Sequence, residues 1–273
     1  VDPSADVLKV AEAAVREAGR FLRENLEERG EILYKGEVNL VTKFDTGAQD
    51  ILFERLSSAF PDHGFLAEEG LSMEGGSDCR WIVDPLDGTT NFAHTFPVFS
   101  VSVALECRGD IVLGIVYDPM REELFKAESG GGAFLNGRAI RVSQVKELGK
   151  SLLATGFPYD VRKNPVNNLD HWGRFLVRAQ AVRRCGSAAL DLCYVACGRF
   201  DGFWELRLNP WDVAAGALIV RAAGGLVTDF SGGDFGIDEG EIAASNGAVH
   251  PALLEVLKLG GRIKGKEGTD EKS

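Results

Sequence analysis

The stretch Trp81-Ile82-Val83-Asp84-Pro85-Leu86-Asp87-Gly88-Thr89-Thr90-Asn91-Phe92 decides how this chain is read. The apolar run Trp81-Ile82-Val83 predicts the end of a buried strand. Two aspartates three positions apart follow at once, then Gly-Thr-Thr-Asn. Such a strand delivers hard oxygen donors to the start of a helix. Asp84, the Leu86 carbonyl and Asp87 can face one point, and magnesium takes that mixture of carboxylate, carbonyl and water. Gly88, Thr89 and Thr90 then open a helix whose first N–H groups suit a phosphate. A metal site beside a phosphate site points to phosphoryl chemistry.

Outward from this stretch, the amino-terminal half reads as α+β. Val7, Val10, Ala11, Ala14, Ala18, Phe21 and Leu22 recur at helical spacing, which predicts a helix from about Ser4 to Glu28 with Ser4 as N-cap. A second helix is expected over 46–60 and a short strand at Phe65-Leu66-Ala67, leading to Glu68. Strands are predicted over 100–106, 111–117 and 123–126, the first two joined by a tight turn at Arg108-Gly109-Asp110. Asn136-Gly137 signals a hairpin. Gly130-Gly131-Gly132 is read as a turn and not as a dinucleotide loop, because no helix opens after it.

The second half alternates strand and helix. Strands are predicted over 151–155, 181–184, 201–206, 226–228 and 241–244. Helices are predicted over 164–178, 187–197, 210–222 and 251–259, with Pro210 in a first turn. The expected organisation is therefore residues 1–145 as an α+β half with the main metal motif, 146–260 as an α/β half completing the site, and 261–273 as a disordered tail, rich in Gly and Lys.

The chain has 273 residues, 45% of them hydrophobic, enough for a sizeable core. Its formal net charge of −11 argues against nucleic-acid or anionic-membrane partners. An anionic substrate stays possible, since bound cations reverse the local field. No apolar stretch has membrane-spanning length and no signal peptide is evident. The five cysteines are odd in number and lack a Cys-x-x-Cys pair, so neither disulfides nor zinc are expected; reduced thiols suit the cytoplasm. The four histidines show no ligand-like spacing.

Five blocks carry a family resemblance. Asp84-Pro85-Leu86-Asp87-Gly88-Thr89-Thr90-Asn91-Phe92 resembles the first signature of the inositol monophosphatase family, and Trp211-Asp212-Val213-Ala214-Ala215-Gly216 the second. Gly186-Ser187-Ala188-Ala189-Leu190-Asp191-Leu192 lies between them, while Asn39 to Asp45 and Glu68-Glu69 precede them in family order. The resemblance implies a layered αβαβα sandwich of the inositol monophosphatase and sugar phosphatase type. It implies two or three Mg²⁺ ions held by Glu68, Asp84, the Leu86 carbonyl, Asp87 and Asp212, with Glu69 outside the ligand set. Glu68, Thr89 and Asp45 are the implied catalytic residues, Thr89 passing a hydrogen bond from the attacking water to Asp45. Substrate contacts fall to Gly88, Thr89, Gly186, Ser187, Ala188 and Glu205. Lys35, Arg183 and Arg184 are further candidates, each equally readable as a surface cation. Lithium sensitivity and a homodimer are implied by the family alone.

The implied reaction is hydrolysis of a small anionic phosphate monoester by a metal-activated water, and no Gly-x-Ser-x-Gly nucleophile motif competes with it. Inositol 1-phosphate is the first substrate; a broader sugar phosphatase acting on fructose 1,6-bisphosphate, or a non-catalytic regulatory protein on the same fold, are the alternatives.

Overall fold

The computed structural model describes residues 5–28, 32–34 and 40–259. Lys35, the N-cap expected at Ser4 and the tail 261–273 lie outside the described residues. The first part of the chain runs α1 (Ala5–Asn25), β1 (Ile32–Tyr34), β2 (Leu40–Thr42), α2 (Lys43–Ala59), β3 (Gly64–Ala67), β4 (Ser72–Met73), β5 (Cys79–Asp87) and α3 (Thr89–Ala93). Five strands follow: β6 (Ser100–Cys107), β7 (Asp110–Asp118), β8 (Glu123–Glu128), β9 (Ala133–Leu135) and β10 (Arg138–Ala139). The remainder is β11 (Leu152–Thr155), α4 (Leu169–Leu176), β12 (Ala181–Arg183), α5 (Ala188–Ala196), β13 (Gly202–Leu206), α6 (Pro210–Ala222), β14 (Leu226–Thr228), β15 (Glu241–Ser245) and α7 (His250–Lys258).

Among the described residues, β1 and β2 form a small antiparallel pair of their own, and two larger sheets and three helical layers make the body. An eight-stranded sheet has the order β10-β9-β8-β7-β6-β5-β3-β4, antiparallel except for β3 beside β5. A five-stranded sheet has the order β12-β11-β13-β15-β14, in which β11 runs parallel to both neighbours. α1 and α2 cover the outer face of the first sheet. On α1, Val7, Ala11, Ala14, Val15, Ala18 and Leu22 form one buried stripe at helical spacing. α5 and α6 lie between the sheets, and every residue of α5 is buried. A helix apolar all round belongs in such an interior. Phe175 of α4 and Leu253, Val256 and Leu257 of α7 cover the outer face of the second sheet. The layers are αβαβα, as the resemblance implies.

Where α6 meets the first sheet, its residues are small. α6 presents Ala214, Ala215, Gly216 and Ala217. Gly114 on β7 meets it: a Cβ at 114 would stand 2.7 Å from the Ala215 carbonyl oxygen. Helix backbone therefore rests on strand backbone. At the start of α6 the Ser102 hydroxyl of β6 donates to the Trp211 carbonyl at 3.4 Å.

The turns follow their sequences. Arg108-Gly109 and Asn136-Gly137 both take left-handed φ at each position, the twist that a two-residue hairpin needs. Two expectations are corrected. The helix predicted over 164–178 is only Leu169–Leu176, because Asn164, Asn167 and Asn168 bind local backbone and side chains and hold 157–168 in turns. The expectation of no disulfide also fails: Cys79 and Cys107 are bonded at 2.00 Å. The β5–β6 register sets them directly opposite each other at the end of the ladder. Cys185, Cys193 and Cys197 are free thiols. Cysteine content thus no longer argues for a reducing compartment.

Candidate active site

The strand β5 carries two aspartates onto one side by an irregularity. Side chains alternate along a strand, so residues 84 and 87 should face opposite ways. Asp84 pairs with Ser102 and Asp87 with Ser100, three steps on β5 against two on β6. That one-residue bulge re-aims the second aspartate. Pro85, which has no N–H to give a ladder, sits inside the bulge. The Leu86 N–H donates to Asp84 Oδ1 at 2.9 Å and fixes the turn.

Asp84 and Asp87 then share a cleft of about 110 Å³ with Glu68, Asp212, Gly88 and Thr89. Glu68 follows β3, the parallel neighbour of β5, and its N–H donates to the Val83 carbonyl at 3.3 Å. Asp212 lies in the first turn of α6 and is the acidic member of a capping box, accepting from the Asn209 N–H at 2.7 Å. Asp87 reaches the N-terminus of α5. Its oxygens accept from the Ser187 hydroxyl at 2.6 Å, the Ala189 N–H at 2.8 Å and the Ala188 N–H at 3.3 Å. Ser187 in turn caps α5, accepting from the Leu190 N–H.

The electrostatics of this cluster are costly. Burial, then repulsion from Glu68, Asp87 and Asp212, holds the Asp84 carboxyl well above the usual range. Burial raises Asp87 to about 6 and Asp212 to about 7. A fold that gathers such groups fits a hard cation as their partner. Among the described residues, however, no group of three acidic, cysteine or histidine side chains converges tightly enough to hold an ion as it stands. Asp84, Asp87 and Asp212 are instead turned toward the N–H and hydroxyl donors described above. The chemistry of the donor set fits magnesium.

The other expected residues separate by position. Thr89 and Asp45 are buried and bonded, with the Thr89 oxygen 2.9 Å from Asp45 Oδ1 and 3.1 Å from the Leu86 carbonyl. Asp45 stands in the first turn of α2. Gly186, Ser187, Ala188 and Glu205 line the same cleft. Glu205 fits because residue 156 is glycine: a Cβ there would lie 2.1 Å from Glu205 Oε1. Burial, then repulsion from Asp191, raises the Glu205 carboxyl well above its usual range. Arg183 does not line the cleft; its guanidinium donates to the Val182 carbonyl. Its neighbour Arg184 does line it, as does Arg207, which is paired with Asp160 at 3.0 Å. The α3 helix opened by Gly88 is only five residues long.

Sequence reasoning missed Asn91 and Asp191. Asn91 donates to the Val98 and Cys185 carbonyls at 2.7 and 2.8 Å, tying the β5 motif to the Gly186 turn. Its place inside the Asp84–Phe92 block was the available signal. Asp191 lines the cleft although it occupies an otherwise apolar helix.

Clustered carboxylates on a strand bulge face a helix start across one cleft of this αβαβα protein, a donor set that fits a hard cation. Comparison with known proteins gives the family. The model of the inositol monophosphatase family matches residues 4–259, and the chain belongs to that family. It is 46% identical to an inositol-1-monophosphatase of Mesorhizobium japonicum, over 92% of this chain and 96% of that protein. It is 43% identical to the Nus factor SuhB of Vibrio cholerae, over 93% and 97%. The crystal structure of the extragenic suppressor protein suhB from Bartonella henselae superposes with a TM-score of 0.89 at 43% identity, covering 94% of this chain and all of that one.

Proposed function

We propose that this protein hydrolyses a small phosphate monoester with magnesium, inositol 1-phosphate first among substrates. The observation that carries the reading is the cluster of Glu68, Asp84, Asp87 and Asp212 in one cleft with Glu205 and Arg184. Glu68, Asp84, the Leu86 carbonyl, Asp87 and Asp212 would hold the metal. When bound, magnesium supplies charge neutralisation and a more acidic water, so that an anionic ester accepts attack.

The chain's own residues do the rest. Gly88 and Thr89 offer backbone donors to the phosphate oxygens at the cleft floor. Asp45 accepts the Thr89 hydroxyl proton, so the Thr89 oxygen is oriented to accept a hydrogen bond from the attacking water. As the water oxygen bonds to phosphorus, the ester P–O bond breaks; the water gives up a proton and the departing alkoxide takes one. Glu205 and the Gly186-Ser187-Ala188 turn hold the alcohol part. Direct attack by water needs no protein nucleophile. A homodimer and lithium sensitivity belong to the same proposal and rest on the resemblance. Among the described residues, no helix is long and apolar enough to cross a membrane.

Phosphate release from inositol 1-phosphate and fructose 1,6-bisphosphate, with Mg²⁺, with chelator and with lithium, tests the reading. Mg²⁺-dependent, lithium-sensitive release from inositol 1-phosphate supports it. Preference for the bisphosphate moves the substrate to the sugar phosphates, with Arg184 and Arg207 as the cations facing the second phosphate. The relatives named Nus factor SuhB favour one other reading, a regulatory protein that works without turnover. Asp87→Asn separates the two: an enzyme loses its phosphate release, whereas a regulator keeps its partner affinity.

A further inference from the structure

Away from the cleft, α1 and the β7–β8 connection enclose a recess of about 440 Å³, lined by Arg16, Arg20, Arg23, Tyr117, Glu122 and Asn136. It shares no residue with the cleft. Positions 16, 20 and 23 are four and three residues apart, so α1 presents all three guanidiniums from one face. Arg23 is paired with Glu122, the one carboxylate lining the recess. Asn136 holds that wall, donating to the Glu122 carbonyl at 3.0 Å and accepting from the Leu124 N–H at 2.9 Å. Arg16 and Arg20 make no ion pair among the described residues. Glu17, beside them on α1, is taken by two hydrogen bonds from Arg55, at 2.8 and 3.0 Å. Two guanidiniums without a carboxylate thus meet in one recess of a chain whose net charge is −11.

Tyr117, on β7, supplies a second and independent sign of a ligand. It is only 7% exposed, yet its hydroxyl makes no hydrogen bond among the described residues. A buried tyrosine ordinarily finds a partner for that group. The oxygen is not sealed in, and an incoming acceptor can reach it. The Arg16 guanidinium lies 5.3 Å from the ring centroid. α1 comes this close because residue 19 is glycine: a Cβ there would stand 2.6 Å from Tyr117 Cδ1. A glycine inside a helix costs about 1 kcal/mol against alanine, and here it seats the ring among the arginines.

We propose that this recess is a second anion site, which takes a phosphate group through the Arg16 and Arg20 guanidiniums and the Tyr117 hydroxyl. Four residues of helix rise about 6 Å, so both arginine side chains can reach one group. A carboxylate has two oxygens for two guanidinium forks and a phenol, whereas a phosphate brings three strong acceptors and more charge. The ligand is a small phosphate anion, either free or at the end of a phosphorylated metabolite, and the recess has room for the latter. This inference does not rest on the phosphatase reading.

Calorimetric titration of the full chain with inorganic phosphate, and separately with inositol 1-phosphate, tests it. Chelator is present throughout, so that the carboxylates of the metal-free cleft repel both probes. The parent is compared with Arg16→Gln/Arg20→Gln, with Tyr117→Phe, and with Arg174→Gln/Arg178→Gln, which removes the same charge from α4 and the turn after it. The first double variant should weaken binding about tenfold or more, and Tyr117→Phe about three- to tenfold, the worth of hydrogen bonds to a charged acceptor. The α4 control should stay within about twofold of the parent. Equal affinity for the two probes assigns the site to free phosphate, and tighter binding of the ester assigns it to a phosphorylated metabolite. No binding by the parent at about 10 mM of either probe overturns the inference. So does a loss of the same size in the α4 control, or affinity unchanged in both Arg16→Gln/Arg20→Gln and Tyr117→Phe.

Discussion

The Thr89 hydroxyl stands 2.9 Å from Asp45 and 3.1 Å from the Leu86 carbonyl, and its single proton can serve only one of them. If it serves Asp45, the Leu86 carbonyl keeps its lone pairs for a cation. Thr89→Val should break the link to Asp45 while leaving the Leu86 carbonyl free. We expect kcat to fall about 10²-fold or more, the usual worth of a positioned proton acceptor. Stability should fall by about 1 kcal/mol in denaturant melts, since Asp45 loses a partner. Thr89→Ser, which keeps the hydroxyl, should retain most of the rate.

The acidic cluster predicts an unusual stability profile for the metal-free protein. Asp87 at about 6 and Asp212 at about 7 are raised from an ordinary 3.8, and Asp84 is raised in the same direction. Between the unfolded and folded values the native state holds protons that the unfolded chain releases. Their contribution to stability is therefore full below about pH 4 and lost as pH rises through about 6 to 7. In chelator the melting temperature should decline from pH 5 to pH 8. Added Mg²⁺ should restore it most at pH 8, because ligands must be deprotonated to bind. A melting temperature that rises with pH in chelator would contradict the assignment.

Gly156→Ala should act on the substrate through Glu205. The new Cβ would stand 2.1 Å from Glu205 Oε1, so the carboxylate has to leave its place. Overpacking of this kind costs about 1–3 kcal/mol. The kinetic signature is a loss of about tenfold or more in kcat/KM on inositol 1-phosphate, carried mainly by KM. Chemical denaturation and steady-state rates check the two effects.

The Cys79–Cys107 bond predicts a thiol count. Denatured, unreduced protein should expose three titratable thiols, those of Cys185, Cys193 and Cys197, and reduction should raise the count to five. The bond closes a loop across a sequence separation of 28. Removing it with Cys79→Ser should cost about 2–4 kcal/mol in denaturant melts.

How much of this was legible before folding differs from residue to residue. Asp84 and Asp87 were legible as candidates because their spacing at a strand end is visible in a sequence, whereas Glu68 and Asp212 were legible only through the family resemblance. The reason Asp84 and Asp87 share a side was not legible, since it lies in the bulge and therefore in the pairing with β6. Register also hid the Cys79–Cys107 pair. Asp191 was hidden by its company: within Ala-Ala-Leu-Asp-Leu-Cys it reads as one polar residue on an apolar helix, and only the layer packing places it against the cleft. The helix predicted over 164–178 failed through Asn side chains that compete for the backbone, an effect that apolar periodicity does not register.

The backbone contact between Gly114 and Ala215 bears on how this molecule tolerates change. Ala215 is three residues past Asp212 on α6, and β7 lies two places from β5 in the sheet. The separation between the sheet's aspartates and the helix's aspartate is thus gauged by main chain pressed on main chain. Side-chain rotamers elsewhere can rearrange without resetting that gauge, which shields the carboxylate spacing from drift in the surrounding core. A single methyl at residue 114 would act as a wedge, prising α6 from the sheet and moving Asp212 without touching any residue of the cleft.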